Sequence, residues 1–357
     1  MAYAVVSALL FGISAPLSKL LLAKVDPIAL AGLLYLGAGA FLGVLAAASR
    51  AFAPSLKGRS SAHREAGLER QDLPWLAGAV VAGGVAGPIL LLLGLATTPA
   101  ASASLLLNFE VVATALIAGV LFREAVGGRT WAAVAAVSAG GALLSVDPSA
   151  GWGFAPGALL ILGACVFWGL DNNLTRQISL RDPKLITTVK GLVAGSFSLG
   201  LALGLGRPLP PYGAALAALA VGAACYGASI ALFVRSLRNL GTARTGAVFA
   251  AAPFAGAILS FALVPEAPRA SFYGGAALMV LAFVLLLRER HAHRHAHEPV
   301  VHTHAHVHDE HHAHSHTGEP AAGGTPRHSH AHTHEPFEHS HPHAPDAHHR
   351  HSHDTSE

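Results

Sequence analysis

Long blocks of apolar residues, separated by short polar connections, constrain this chain more than any other feature of its sequence. Each block runs for roughly 17–23 residues, enough for a helix to cross a hydrocarbon layer of about 30 Å. Hydrophobic residues make up 52% of the chain and charged residues only 12%, whereas soluble proteins carry about 25% charged residues. The sequence therefore predicts an all-α integral membrane protein.

We predict about ten transmembrane helices from these blocks. The first five are Ala2–Leu22, Pro27–Ala47, Pro74–Leu95, Ala101–Phe122 and Thr130–Val146. The second five are Ala155–Leu174, Leu185–Leu205, Tyr212–Val234, Thr242–Val264 and Ala270–Leu287. Because no basic segment precedes Ala2, we interpret the first block as a true span rather than a cleaved signal peptide.

Lysine and arginine are unevenly divided between the two sides of these spans. If the N-terminus is cytoplasmic, fifteen of them flank cytoplasmic ends, and four, Lys19, Lys24, Arg207 and Arg269, flank the opposite ends. Positive residues close to spans favour the cytoplasmic side. We therefore expect a multi-pass protein of a bacterial-type inner membrane with both termini in the cytoplasm.

The two sets of five spans share landmarks in the same order. The segments Phe11–Lys19 and Trp168–Arg176 both read aromatic–Gly–aliphatic, then small or polar residues, then Leu–hydroxyl–cation. The fourth and ninth spans are each followed by an acidic residue, Glu124 and Glu266. Since each set has an odd number of spans, the second enters the membrane upside down. This pattern predicts two inverted five-helix repeats, an architecture common in secondary transporters.

With these landmarks the sequence resembles the drug/metabolite transporter superfamily, in its ten-span EamA-type branch. The matching residues are Gly12, Pro16, Glu124, Pro253 and Glu266. The resemblance implies that residues 1–147 form the first EamA-type five-helix repeat and residues 153–290 the second. It further implies export or exchange of metabolites, amino acids or toxic compounds without ATP. The family often has proline in the middle of the fourth span, where this chain has Asn108-Phe109-Glu110.

Ionisable residues inside spans are the first candidates for function, because each costs about 2.5–3.5 kcal/mol on insertion scales. Glu110 lies nearest to the middle of the membrane, where a carboxyl group can bind and release a proton as the site turns from side to side. Asp171 and Lys190 lie at matching depths in neighbouring spans. We therefore predict an ion pair between them, and the alternative is a pair between Lys190 and Glu110. We expect the transport path to include Glu110, Asp171, Lys190, Asn108, Asn172, Asn173, Pro16 and Pro253.

Three other residues of the spans receive structural interpretations. Lys19 lies near the outer end of its span and is expected to extend its ammonium group to the membrane interface. Tyr35 and Trp168 are expected in the helical core or at an interface, with the lining of a cavity as the alternative.

Residues 291–357 form a polar tail that contains 23 of the 24 histidines. The tail has no apolar periodicity, so we predict that it is disordered without metal. Closely spaced imidazoles suit Zn, Ni, Co and Cu. The predicted metal ligands are His291, His293, His295, His297, His302, His304, His306, His308, His328, His330, His332 and His334.

These observations favour a secondary transporter, an exporter or exchanger of small organic solutes, with a metal-binding cytoplasmic tail. One alternative is a transition-metal ion transporter of the same fold, and another is a non-transporting, metal-responsive membrane sensor. The sequence contains no enzyme motif, and we expect no required cofactor. The expected partners are a small-molecule solute, membrane lipid and divalent metals at the tail, but no nucleic acid; a homodimer is left open.

Overall fold

The computed structural model describes residues 1–51, 67–121, 128–147, 153–178, 181–240, 245, 248–264 and 266–287, and residues 292–296, 300–306, 328–334 and 338–342 of the tail. Helices dominate the described part of residues 1–287 and pack around a large apolar core. The predicted acidic landmark Glu124 lies outside the described residues, and so do residues 242–244 and 246–247 of the ninth predicted span.

The first half of the chain contains helices α1 to α8. Their bounds are Ala2–Gly12 (α1), Ser14–Leu21 (α2), Pro27–Ala51 (α3), Leu73–Ala79 (α4), Gly87–Thr97 (α5), Ala100–Leu106 (α6), Phe109–Leu121 (α7) and Gly128–Ser145 (α8). A short 3-10 turn, Arg70–Asp72, precedes α4. The strands Val146–Asp147 (β1) and Gly153–Phe154 (β2) then pair antiparallel.

The second half contains helices α9 to α14. Their bounds are Pro156–Gln177 (α9), Pro183–Gly204 (α10), Tyr212–Val221 (α11), Ser229–Leu240 (α12), Ala252–Leu263 (α13) and Ala270–Leu287 (α14). The long helices pack in pairs, α3 along α10, α5 and α7 against α9, and α8 against α14.

Seven helical stretches of the described residues are long and apolar enough to cross a membrane. They are Ala2–Leu21, Pro27–Ala48, Arg70–Thr97, Ala100–Leu121, Pro156–Gln177, Pro183–Gly204 and Tyr212–Ser236. Helices α8, α13 and α14 lie where the other three spans are predicted. The expectation of a helical membrane protein is therefore confirmed, with seven candidate spans by these criteria.

Local sequence determines where the helices begin. Asp26 and Asp182 immediately precede Pro27 and Pro183, whose fixed φ and missing N–H suit the first position of a helix. The Oδ1 atom of each aspartate accepts a hydrogen bond of 2.9 Å from the backbone N–H two residues later. Such caps satisfy donors that the helix itself leaves free.

The helices of the two halves are interrupted at corresponding places. A π-helix, Val80–Ala86, joins α4 to α5, and another, Gly222–Ala228, joins α11 to α12. A turn at Leu107–Asn108 separates α6 from α7, and a turn at Ala250–Ala251 precedes α13. Interruptions of this kind concentrate at functional sites because they release backbone groups from the helical ladder.

Glycines allow α3 and α10 to approach each other closely. A Cβ atom on Gly195 would lie 2.6 Å from the backbone nitrogen of Leu36 and 2.8 Å from the carbonyl oxygen of Gly32. Membrane helices use small residues in this way to bring their backbones into van der Waals contact.

Four short segments of the tail are described as strands. The segments Ala292–Ala296 (β3) and Glu338–Pro342 (β6) pair antiparallel, as do Val300–His306 (β4) and His328–His334 (β5). The physical reason lies in the alternation of histidine with small residues, which has the period of two that extended strands require. The remaining residues of the tail lie outside the described ranges.

We predict that Gly195→Ala destabilises the bundle, because the new methyl group meets backbone atoms of α3. Overpacking of this kind costs about 1–3 kcal/mol. Gly200→Ala in the same helix is the matched control: nothing lies within 4 Å of its added Cβ, and alanine favours the helix by up to about 1 kcal/mol. Thermal unfolding of the purified proteins compares the two, and equal midpoints would refute the close packing.

Candidate functional site

A cavity of about 240 Å³, here called the polar cavity, lies inside the helical bundle. Its lining comes from α1, α3, α7, α9 and α10 and from the segment Gly222–Ile230. The polar residues of this lining are Glu110, Asp171, Asn172, Thr175, Thr187 and Lys190. Four aromatic residues also line it: Phe11, Tyr35, Trp168 and Tyr226. Both halves of the chain therefore contribute to one site.

Asp171 and Lys190 form an ion pair at the side of this cavity. The ammonium group of Lys190 donates to both carboxylate oxygens of Asp171, at 2.6 Å to Oδ1. The side chains are only 9% and 16% exposed. The Thr175 hydroxyl adds a hydrogen bond of 3.0 Å to Oδ1. The structure thus contains the predicted Asp171–Lys190 pair and not the alternative Lys190–Glu110 pair.

The backbone of the π-helix Val80–Ala86 lies beside the Asp171–Lys190 ion pair. The carbonyl oxygen of Gly83 accepts hydrogen bonds from the Tyr35 hydroxyl at 2.7 Å and from Trp168 Nε1 at 3.0 Å. A Cβ atom on Gly83 would collide with the carboxylate of Asp171. Only glycine at this position leaves room for the ion pair against the backbone.

Glu110 lies in the first turn of α7, directly after the turn that separates α6 from α7. Its Oε1 atom accepts a hydrogen bond of 2.8 Å from Asn172 Nδ2, which also donates to Thr114 Oγ1 at 3.2 Å. The positive end of the α7 dipole lies beside the carboxylate and stabilises its negative charge.

A second cavity, here called the apolar cavity, has a volume of about 140 Å³ and lies between the two interrupted helices. Leu107, Asn108 and Val111 line it from one interruption, and Ala250 and Pro253 from the other. The rest of the described lining comes from Phe11, Glu110, Val137, Phe249, Ala252, Met279, Ala282 and Phe283. The two cavities meet at Phe11 and Glu110, which line both.

The other residues expected in the transport path fall into two groups. Asn108 and Pro253 line the apolar cavity. Asn173 and Pro16 lie outside the described linings of both cavities. Asn173 is buried and donates to the carbonyl oxygens of Gly169 at 2.8 Å and Thr114 at 3.1 Å, so it ties α9 to α7. Pro16 is fully buried within α2.

Lys19 contacts the end of α5 and the segment before α14. Its ammonium group donates to the carbonyl oxygens of Leu95 at 2.8 Å and Thr98 at 2.9 Å, at the end of α5. It lies 3.6 Å from Glu266 Oε1, while Glu266 Oε2 accepts a hydrogen bond of 2.7 Å from the backbone N–H of Ala100. We call this set of contacts the Lys19–Glu266 network.

The network and the polar cavity lie toward opposite ends of α9. Gly157, near the start of α9, lies next to the network, because a Cβ atom added to it would lie 2.5 Å from the hydroxyl oxygen of Thr98. Asp171 lies fourteen residues further along the same helix, a distance of about 21 Å.

A salt bridge lies near the end of the bundle that holds the polar cavity. Arg181, between α9 and α10, contacts Glu69 Oε1 at 2.6 Å and Asp72 Oδ2 at 2.8 Å. The hydrogen bond to Glu69, with smaller contributions from Asp72, raises the pKa of Arg181. The guanidinium therefore stays charged and holds the segment before α4 against this connection.

The histidines predicted as metal ligands divide between described and undescribed segments. His293 and His295 lie in β3, His302, His304 and His306 in β4, and His328, His330, His332 and His334 in β5. His291, His297 and His308 lie outside the described residues. Side-chain positions are described only in the bundle, and there no cluster of three or more His, Cys, Asp or Glu residues suits a metal ion.

Sequence reasoning missed several residues of the site. Gly83 is central, and its sequence signals, the pair with Gly84 and the four-residue spacing to Gly87, indicate close helix packing rather than a site. Tyr35 and Trp168 line the polar cavity, which was the alternative to core packing, but their hydrogen bonds to the backbone of the π-helix were not expected. Aromatic residues beside glycine in a membrane span can indicate such a site, but the same pattern is common in packed helices.

We predict that Asp171→Asn and Lys190→Met each destabilise the protein by roughly 3–5 kcal/mol, because either change leaves one buried charge without its partner. The double variant should recover most of this loss. Asp182→Asn, at the cap of α10, is the control that removes a carboxylate outside the cavity. Thermal stability and membrane yield measure the effect, and a double variant no better than the single ones would refute a direct pair.

Comparison with known proteins agrees with this architecture. A protein of Methanothermobacter thermautotrophicus (strain Delta H), described as an uncharacterized transporter, is 30% identical over 304 residues, which cover 79% of this chain and 84% of the relative. A solved crystal structure has a TM-score of 0.56 and 20% identity, and the match covers 81% of this chain and 97% of the other. This second likeness concerns the fold alone.

The family comparison identifies the two halves of the bundle as two separate matches. The EamA-like transporter family matches residues 1–146 and again residues 155–288. These two ranges contain every helix described above and both cavities. The chain therefore belongs to the EamA-like transporter family.

Proposed function

We propose that this protein is a secondary transporter that exports or exchanges a small organic solute across a bacterial-type inner membrane. The observation that carries the proposal is the polar cavity, in which Glu110 from the first half meets Asp171 and Lys190 from the second. Charged side chains inside a membrane bundle are costly and are retained where they bind a solute or a coupling ion. Membership of a transporter family supports the same conclusion.

The proposed architecture has ten spans in two inverted five-helix repeats. The two family matches, residues 1–146 and 155–288, support a duplicated unit. The paired π-helices and the paired turns before α7 and α13 support the same correspondence. In transporters of this design, interrupted helices meet at the solute site between the repeats.

Alternating access follows from the opposite positions of the polar cavity and the Lys19–Glu266 network. The network joins α2, the end of α5, the start of α6 and the segment before α14. We propose that these contacts close one end of the bundle. The polar cavity lies toward the connection between α9 and α10, whose arginine and lysine residues favour the cytoplasm. The arrangement suits a solute that binds from the cytoplasmic side.

Glu110 is the proposed coupling residue. It lies where the two cavities meet, so a proton or a cation bound there also affects solute in either cavity. Asp171 is less suited to proton coupling, because both of its carboxylate oxygens already accept hydrogen bonds. Oδ1 accepts from Lys190 and Thr175, and Oδ2 accepts from Lys190. We infer that Glu110 binds and releases a proton during each transport cycle.

The tail is proposed to bind divalent transition metals on the cytoplasmic side. In the β4–β5 pair, His302 lies opposite His332, His304 opposite His330, and His306 opposite His328. The proposal rests on this pairing of histidine positions along the two strands and on the affinity of closely spaced histidines for such metals. A metal-buffering tail is compatible with organic-solute transport through the bundle.

We predict that Glu110→Gln lowers pH-gradient-driven flux at least tenfold while the protein still inserts and folds. The assay uses the full chain in proteoliposomes with a panel of radiolabelled amino acids, polyamines and quaternary amines, together with radioactive zinc and nickel. Asp26→Asn is the control: it removes a carboxylate outside both cavities, and asparagine caps a helix as well as aspartate. Flux in Glu110→Gln equal to that of the unmodified protein would exclude Glu110 as the coupling residue.

The same panel separates the alternatives. Protein-dependent flux of an organic solute that persists in a chain ending at Arg290 supports the proposed function. Flux of zinc or nickel alone would favour the metal-ion transporter. Absence of flux for every member would overturn the transporter proposal and favour a sensor.

A further inference from the structure

We propose that the apolar cavity is a second subsite, which holds an apolar ring of a cationic solute whose ammonium group lies against Glu110. The inference rests on the function proposed for the polar cavity and names the chemical class of its solute: an organic amine that carries a group about the size of a benzene ring.

The size of the ring follows from the volume of the apolar cavity. Its volume is about 140 Å³, and an engineered cavity of about 150 Å³ lined by Leu, Ile and Phe binds benzene. Phe249, Met279 and Phe283 contribute to an almost entirely apolar lining. Asn108, one of its two polar residues, already donates to the carbonyl oxygen of Leu105 at 2.9 Å. The cavity therefore suits a single ring better than a polar group.

The position of the charged group follows from the junction of the cavities. Glu110 and Phe11 line both cavities, so a ring in the apolar cavity has its substituent beside the Glu110 carboxylate. The rest of a solute can then extend into the polar cavity, whose volume is about 240 Å³.

The sign of the charge follows from the described linings of the two cavities. Their charged residues are Glu110, Asp171 and Lys190. Lys190 and Asp171 neutralise each other through two hydrogen bonds, which leaves the negative charge of Glu110. Asn172 donates a single hydrogen bond to that carboxylate, so acceptor capacity remains for a cation, whereas an anion would be repelled.

Aromatic rings add to this preference. Phe11, Tyr35, Trp168 and Tyr226 all line the polar cavity. The Tyr226 ring centre lies 5.9 Å from that of Phe11 and 6.1 Å from that of Tyr35. Grouped aromatic rings attract ammonium groups through the negative potential of their faces.

Binding of four probes to the full-length purified protein tests the proposal. Benzyltrimethylammonium should bind at least tenfold more tightly than tetramethylammonium, because burial of its ring adds affinity. Phenylacetate should bind at least tenfold more weakly than benzyltrimethylammonium. The naphthylmethyl analogue should bind less tightly than the benzyl compound, because its fused rings exceed the cavity.

Two variants, one that reduces the volume of the apolar cavity and one that increases it, make the test specific. Ala250→Leu fills the apolar cavity and should reduce the benzyl-to-methyl affinity ratio from at least tenfold to about one. Met279→Ala enlarges the cavity and should shift the preference toward the naphthylmethyl analogue. Val120→Leu is the control, since Val120 lies outside both cavities and is 75% exposed; it should leave the ratio unchanged. If Ala250→Leu does not fold, Met279→Ala alone decides.

Equal affinities of the unmodified protein for the benzyl and methyl compounds, failure of both to bind, or stronger binding of phenylacetate would each overturn the subsite. None of these binding results measures solute flux, so the proposed transport function can stand without the subsite. Conversely, ring-selective cation binding without any flux would retain the subsite and overturn the transport function.

Discussion

The ion pair between Asp171 and Lys190 is the interaction on which the arrangement of this bundle depends. A lone charge in so apolar an interior is costly, and each of these residues supplies the partner that the other needs. Their contact in turn requires Gly83, because any side chain there would collide with the Asp171 carboxylate. The π-helix exposes the Gly83 carbonyl oxygen, and Tyr35 and Trp168 satisfy it.

This requirement explains why this interior region of the bundle becomes a polar cavity. The ion pair joins α9 to α10, and the hydrogen bonds of Tyr35 and Trp168 to Gly83 hold α3 and the π-helix Val80–Ala86 beside it. Glu110 enters the same region from α7 with Asn172 as its partner. A solute that exchanges contacts with these groups can bias how the two halves pack, which is how a ligand shifts a conformational equilibrium.

The sequence predicts the parts of the structure that depend on strong local signals. Apolar block length locates the helices, and matching depth in neighbouring spans predicts the contact between Asp171 and Lys190. The π-helices escape prediction, because Val80–Ala86 and Gly222–Ala228 consist mostly of small apolar residues that read as uninterrupted span. Hydropathy carries no information on which backbone carbonyl a tyrosine or tryptophan will find.

The role of Lys19 escapes prediction for a different reason. A lysine near the end of a span ordinarily extends to the interface, and nothing in its local sequence indicates the helix end that it binds. Its partners, Leu95, Thr98 and Glu266, are distant in the chain, so only the packed fold brings them together.

The central claim, that the polar cavity is open to one side and closed from the other by the Lys19–Glu266 network, is tested most directly by thiol labelling. The measurement uses Thr187→Cys, a cavity position, in a protein whose buried Cys165 and Cys225 are replaced by alanine. A membrane-impermeant reagent should label this cysteine from the cytoplasmic side, with at least tenfold slower labelling from the outside. Lys19→Met should raise the outside rate severalfold. Equal labelling from both sides before the Lys19 change, or an outside rate that the change leaves unaltered, would contradict the account.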